Sequence, residues 1–301
     1  MAAPSRVGLV GLGNMGRPIA ARLRAGGVRL TVFDVRPDAV QRVADACGAE
    51  PAASLAALGR TSDVVITLLP NGAAVRQAVL DPGDDRLLDG MVAGSVLVDM
   101  GSSSPTGTRA LGAALAEHGI AMVDAPVSGG VRGAEAGTLA IMVGGEPAVV
   151  DRCRPLLELV GARVFVTGPL GSGHAMKALN NLVSAAGLVA AGEALLVGRR
   201  FGLDPTLMLE VLNASTGRNY ATEQKLAQYV LSRSYAAGFS LGLMLKDLTA
   251  ATELARETGT ELALGAACHA VWARAADALG GDADHTEVVR FLERVAGTEL
   301  V

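Results

Sequence analysis

The sequence predicts an α/β chain in which a doubly wound, mainly parallel sheet is followed by an all-helical C-terminal domain. Three observations predict it. Short β-branched runs alternate with helix-length segments up to about residue 168, the first run ends in a glycine-rich turn, and no strand-like run occurs after Gly173. With 301 residues, 50% of them hydrophobic, the chain can bury two cores, drawn here as residues 1–170 and 171–301.

In order, the strands are RVGLVG (Arg6 to Gly11), LTVFD (Leu30 to Asp34), DVVITLLP (Asp63 to Pro70), SVLVDM (Ser95 to Met100), IAMVDAPV (Ile120 to Val127), LAIMVGG (Leu139 to Gly145) and RVFVTG (Arg163 to Gly168). All read as strands buried on both faces. Helices fit at about 15–26, 37–47, 72–80, 105–118 and 147–160. A long interdomain helix then begins in GSGHAMKALNN (Gly171 to Asn181), and five or six helices fit before the C-terminus. Asp204 before Pro205 marks one helix start, and Asp282 to Asp284 mark another.

Composition narrows the partners. Acidic residues outnumber basic ones, 30 to 26, and no basic run occurs, so nucleic acid is not expected. Cys47, Cys153 and Cys268 are odd in number and far apart, which fits free thiols in a reducing, cytoplasmic compartment and no metal site. The opening MAAPSRVGLV lacks the apolar core of a signal peptide. LVSAAGLVAAGEALLVG (Leu182 to Gly198) is long enough to span a bilayer, but Glu193 interrupts it, and it reads as a buried helix with no membrane partner. Apolar helices such as Glu261 to Leu279 carry more apolar surface than a small domain can cover, which predicts a homo-oligomeric interface.

The glycine turn carries the first chemistry. Gly11, Gly13 and Gly16, with Leu12, Asn14 and Met15 between them, follow a strand and open a helix, the Rossmann arrangement that seats a pyrophosphate on helix N–H groups. Asp34 ends the second strand, 23 residues after Gly11, where an acid accepts the adenosine ribose hydroxyls. NAD is therefore expected, while Arg36 leaves NADP open. Leu69, Pro70 and Asn71, and then Ser102, lie in loops on the same side of the sheet. The serines at 102 to 104 suit ligand contact or the capping of a helix at Pro105.

DAPVSGG also follows a strand, and Ser128, Gly129 and Gly130 can turn a hydroxyl and backbone N–H groups toward a carboxylate. On a helix starting near Gly173, Lys177 has Asn180 and Asn181 at i+3 and i+4, on its own face. Burial beside the apolar run is expected to lower the lysine pKa, fitting it to exchange a proton with an alcohol or carbonyl oxygen. His174, one turn earlier, is a rival acid or base. No second ligand stands at metal spacing from it.

Taken together, GLVGLGNMGRPIA, VITLLPN, DAPVSGG, GSGHAMKALNN and LMLKDLTAA occur in the order found in the β-hydroxyacid dehydrogenase family, which the chain resembles over nearly its whole length. The resemblance implies a Rossmann domain, a helical domain and reversible hydride transfer between a nicotinamide and a small 3-hydroxy acid of the 3-hydroxyisobutyrate or tartronate semialdehyde type. It implies Lys177 as general acid/base and Asn181, or Asn180, as its companion. Ser128, Gly129 and Gly130 would hold the substrate carboxylate, and Ser102 would touch the nicotinamide end, although Gly101 stands where many relatives carry serine. Lys246 of LKDL would reach cofactor and substrate, with Asp247 fixing its helix. Arg218, Asn219 and Tyr220 either contact the far end of the substrate or form a polar interhelical loop. An imine reductase-like enzyme and a noncatalytic dinucleotide-sensing module are the rival readings; Lys177 with DAPVSGG argues against the first, and Lys177 against the second.

Overall fold

The computed structural model describes residues 6–81, 83 and 85–301, so half of the N-terminal segment read above for a signal peptide lies outside the described residues. The chain divides into two compact units, Met1–Lys177 and Ala178–Val301. The division falls within a helix, just after Lys177.

The first unit is a nine-stranded sheet flanked by helices. Its strands are β1 (Arg6–Val10), β2 (Arg29–Phe33), β3 (Glu50–Pro51), β4 (Val64–Thr67), β5 (Val96–Asp99), β6 (Ala121–Asp124), β7 (Val127–Ser128), β8 (Leu139–Gly144) and β9 (Gly161–Gly168). The order is β3-β2-β1-β4-β5-β6-β8-β7, with β9 also on β8. The first six strands pair in parallel, whereas β8 runs antiparallel to β6 and β7. Central strands are continuous apolar runs such as Val64 to Ile66 and Val96 to Val98, because helices cover both faces. β9 departs from the expectation of two buried faces. It pairs with β8 alone, and Phe165 and Val166 are exposed.

The helices of this unit are α1 (Gly16–Ala25), α2 (Pro37–Cys47), α3 (Leu55–Arg60), α4 (Gly72–Val79), α5 (Pro105–Ala116), α6 (Gly130–Ala136) and α7 (Pro147–Leu157). Their polar starts fix them: Ser54, Asn71 and Ser104 accept backbone N–H groups at the heads of α3, α4 and α5. The short β3, α3, β7 and α6 are not foreseen by the sequence reading, since two-residue strands and helices of under two turns carry too little periodicity.

α8 (Ser172–Phe201) runs through the boundary into the second unit, which continues with α9 (Pro205–Ala214), α10 (Tyr220–Gln224), a π-turn at Leu226–Leu231, α11 (Leu241–Glu257), α12 (Ala263–Leu279), a 3₁₀ turn at His285–Glu287 and α13 (Val288–Ala296). The expected caps appear at Asp204, which accepts from Thr206 and Leu207, and at Asp284, which accepts from Thr286. α8 is long and apolar enough to cross a membrane by length and composition. Its Ala185, Leu188, Val189, Leu195 and Leu196 instead join Trp272, Leu248 and Val288 in the core of this unit, with Glu193 exposed.

Candidate active site

β1 delivers the chain into GLGNMG at the point where β2 and β4 leave on opposite sides of it, the crevice where open parallel sheets bind ligands. Gly11 has φ +96°, and a Cβ there would strike the Leu68 carbonyl oxygen; a Cβ on Gly16 would strike the carbonyl oxygen of Gly11. Both glycines are required by the fold itself. Gly13 differs, because a Cβ there would meet nothing within 4 Å. Beside it, α1 begins without a side-chain cap, unlike α4, α5 and α9, and with no acid in its first turn. An uncapped helix start beneath an open glycine fits a pyrophosphate.

Asp34 follows β2 and reaches back to this turn. Its Oδ2 accepts the Leu12 N–H at 2.7 Å and its Oδ1 accepts the Arg36 N–H at 2.9 Å. The carboxylate therefore clamps the glycine turn, a role no spacing rule shows; Oδ1 is taken up by two Arg36 donors, and Oδ2 keeps a second lone pair for a ribose hydroxyl. Arg36 carries its guanidinium in solvent, Nε 3.4 Å from Asp34 Oδ1.

In the next loops, Leu69 and Ser102 are half-buried while Pro70 and Asn71 are exposed. Asn71 Oδ1 accepts the Ala74 N–H at 2.9 Å, so its side chain caps α4. Asp99 organises the Ser102 loop: its Oδ1 accepts from Thr67 Oγ1 and the Gly101 N–H, and its Oδ2 accepts from Ser103 Oγ at 2.6 Å. A Cβ on Gly101 would press on Asp99 Oδ1 and the Leu69 carbonyl oxygen, each at 3.0 Å, which accounts for glycine at that position.

Ser128 ends β7 opposite Ala140, and the exposed Gly129 and Gly130, at φ +131° and +63°, turn the chain into α6. Asp124, five residues beyond Gly119 and at the end of β6, is wholly buried. Its two oxygens accept the N–H groups of Gly171 and His174, each at 2.7 Å, so it holds the head of α8. Burial pushes the Asp124 carboxyl above its ordinary value, against His174 and those N–H groups, which favour the charged form. Gly173 allows the close approach, since a Cβ there would strike the Met142 carbonyl oxygen. Lys177 follows on the first turns of α8 and is half-buried.

The second unit holds the remaining residues. Asn180 Nδ2 donates to Asn181 Oδ1 at 3.1 Å, and Asn181 Nδ2 donates to Asp247 Oδ2 at 2.6 Å. Lys246 Nζ stands 3.3 Å from Asp247 Oδ1. The two asparagines thus form one chain anchored on a buried aspartate of α11. Asn219 caps α10 in a full capping box, and Tyr220 lies 5.5 Å beneath the Lys225 ammonium. Asp99 and Asp124 support the Ser102 loop and the head of α8 without being singled out by the sequence. Their available signal was the pair of aspartates closing the VLVD and AMVD strands, which the sheet sets side by side.

A dinucleotide crevice, an anion-suited glycine loop and a half-buried lysine define the class as a nicotinamide-dependent oxidoreductase. Residues 6–168 match the family described as the NAD binding domain of 6-phosphogluconate dehydrogenase, and residues 171–292 match that described as NAD-binding of NADP-dependent 3-hydroxyisobutyrate dehydrogenase. The chain is 37% identical to 2-(hydroxymethyl)glutarate dehydrogenase of Eubacterium barkeri, over 98% of this chain and 97% of that one. It is 38% identical to 3-hydroxyisobutyrate dehydrogenase of Pseudomonas aeruginosa, over 93% and 94%. The solved structure of Mycobacterium tuberculosis 3-hydroxyisobutyrate dehydrogenase with L-serine superposes with a TM-score of 0.88 at 33% identity, covering 97% and 99% of the two chains. The chain belongs to the β-hydroxyacid dehydrogenase family, and it is an NAD(P)-dependent oxidoreductase that acts on the CH–OH group of a small hydroxy acid.

Proposed function

We propose that the protein oxidises a small 3-hydroxy acid reversibly, using NAD, with Lys177 as the general acid/base. The observation that carries this reading is the placement of Lys177 on a helix whose head is bound by a buried carboxylate at the end of β6, the same strand that leads into Ser128, Gly129 and Gly130. The nicotinamide, when bound, supplies the hydride acceptor. Ser128 and the Gly129 and Gly130 backbone receive the substrate carboxylate. Lys177 Nζ takes the hydroxyl proton as the C–H hydride departs, and returns it in the reverse direction. Asn181, held by Asp247, orients the hydroxyl, with Asn180 bonded behind it, and Lys246 neighbours the same aspartate. Asp34 at the end of β2 supports NAD over NADP, because its carboxylate stands where a 2′-phosphate would be repelled. Substrates of the 3-hydroxyisobutyrate or tartronate semialdehyde type suit a loop built for one carboxylate.

Free Cys47, Cys153 and Cys268 support a cytoplasmic location. Exposed Val183, Val197 and Phe201 on α8, with Leu207 and Val211 on α9, support a homodimer or homotetramer.

The test is a panel of small hydroxy acids assayed with NAD and NADP side by side, repeated with Lys177→Ala. We expect NADH formation on one or a few 3-hydroxy acids. Lys177→Ala should cut turnover by about 100-fold or more while NADH binding changes little. Near-normal turnover by the variant would end the assignment of Lys177.

A further inference from the structure

His174 sits one turn before Lys177, and its ring has no exposed surface. Its Nδ1 lies 2.8 Å from Thr108 Oγ1, which also lies 3.0 Å from the Ser104 carbonyl oxygen. Nδ1 and Thr108 Oγ1 are hydrogen-bonded, with the ring tautomer setting which of them donates. Nε2 faces Asp99 Oδ2 at 3.7 Å and makes no hydrogen bond among the described residues. Nδ1 also lies 3.7 Å from Asp124 Oδ2, which accepts the backbone N–H of His174 itself.

These contacts converge on two carboxylates that are register partners, Asp99 on β5 and Asp124 on β6. Asp99 organises the Ser102 loop through Gly101 and Ser103, and Asp124 precedes the Ser128 loop by four residues. One imidazole thus ties the first turn of α8 to the start of α5 and lies against both strand ends. A ring sealed from solvent is unsuited to exchanging a proton with a substrate. It is well placed to fix the helix that bears the lysine.

We propose that His174 is a positioning residue for Lys177: its ring ties the head of α8 to α5 through Thr108 and fills the space beside Asp99 and Asp124, and so sets where the ammonium stands relative to the Ser102 and Ser128 loops. The proposal rests on Lys177 being the acid/base. The scale of its effect follows from geometry, since a displacement of about 1 Å in a reacting group costs about 100-fold in rate.

The experiment compares His174→Ala and His174→Asn with wild type, using the best hydroxy acid of the panel with NAD, and reads kcat, KM for NAD, single-turnover NADH formation and melting temperature. Asparagine keeps a hydrogen-bonding group where Nδ1 stands. We expect His174→Ala to lower kcat by about 100-fold with KM for NAD nearly unchanged, and His174→Asn to recover about tenfold of that loss. In single turnovers with Lys177→Ala as background, adding His174→Ala should cost nothing more, because no ammonium remains to be misplaced. An unchanged kcat in folded His174→Ala, no recovery by asparagine, or the same loss in both backgrounds would each overturn the proposal. Lys177→Ala alone decides whether the lysine reading stands, so the two failures are distinct. Should His174→Ala fail to fold, Thr108→Val removes the ring's hydrogen-bond partner and keeps the imidazole; a lowered kcat supports the proposal and an unchanged one overturns it.

Discussion

At the scale of single residues, the three glycines of the nucleotide turn look alike in sequence and are separated only by what surrounds them. A methyl group on Gly16 has to displace the Gly11 carbonyl, whereas one on Gly13 projects into open space. Gly16→Ala should therefore lower the melting temperature by several degrees, on the order of 1–3 kcal/mol of overpacking. Gly13→Ala should leave it unchanged and weaken NAD binding by about tenfold or more, since the methyl stands where the backbone must approach the pyrophosphate. Calorimetric titration and melting curves on the two variants check this, and equal melting losses would refute the distinction. Asp34 shows the same limit of sequence reading. Its spacing from Gly11 marks it for the ribose, but its bond to the Leu12 N–H appears only once β1 and β2 lie side by side.

At the scale of elements, the helical unit carries a buried histidine in a turn rather than a helix. His285, in the 3₁₀ turn before α13, is pushed down to about 4, chiefly by burial and then by the Lys225 charge, with Asp284 and the Phe239 carbonyl opposing. The unfolded chain takes up a proton there near the ordinary value of 6.5, and the folded chain does so only near 4. This group therefore favours unfolding increasingly as pH falls from about 6.5 to about 4, and adds no further loss below that. Melting temperatures of wild type and His285→Gln across that range should show a shallower acid slope for the variant. Parallel slopes would remove His285 from the account. α9, α12 and the longer helices of the sheet unit are legible from Asp204-Pro205, from apolar spacing and from chain breaks. The isolated β3, α3 and α6 are not, because pairing partners rather than local pattern create them.

At the scale of the whole molecule, the apolar helices predict self-association, and the structure moves the expected surface. The stretch from Glu261 to Leu279 turns Cys268, Trp272 and Ala275 into its own core, and Leu264 is its exposed large apolar side chain. The surplus lies on α8 and α9, where Val183 is 73% and Phe201 84% exposed. Light scattering at micromolar concentration should give a dimer or tetramer, and Phe201→Glu with Val197→Glu should shift it toward monomer; a monomeric wild type refutes the expectation. By itself the sequence determined the alternation of strands and helices, the nucleotide turn, the anion loop and the candidate lysine, because each is written in local periodicity, backbone permissiveness or spacing along one helix. Only the tertiary structure decided that Asp99 and Asp124 stand in register, that Asp124 caps the helix of Lys177, and that His174 is sealed between them. Those contacts join residues 25 to 75 positions apart, and no local pattern records which distant side chains a parallel sheet brings to its carboxyl edge.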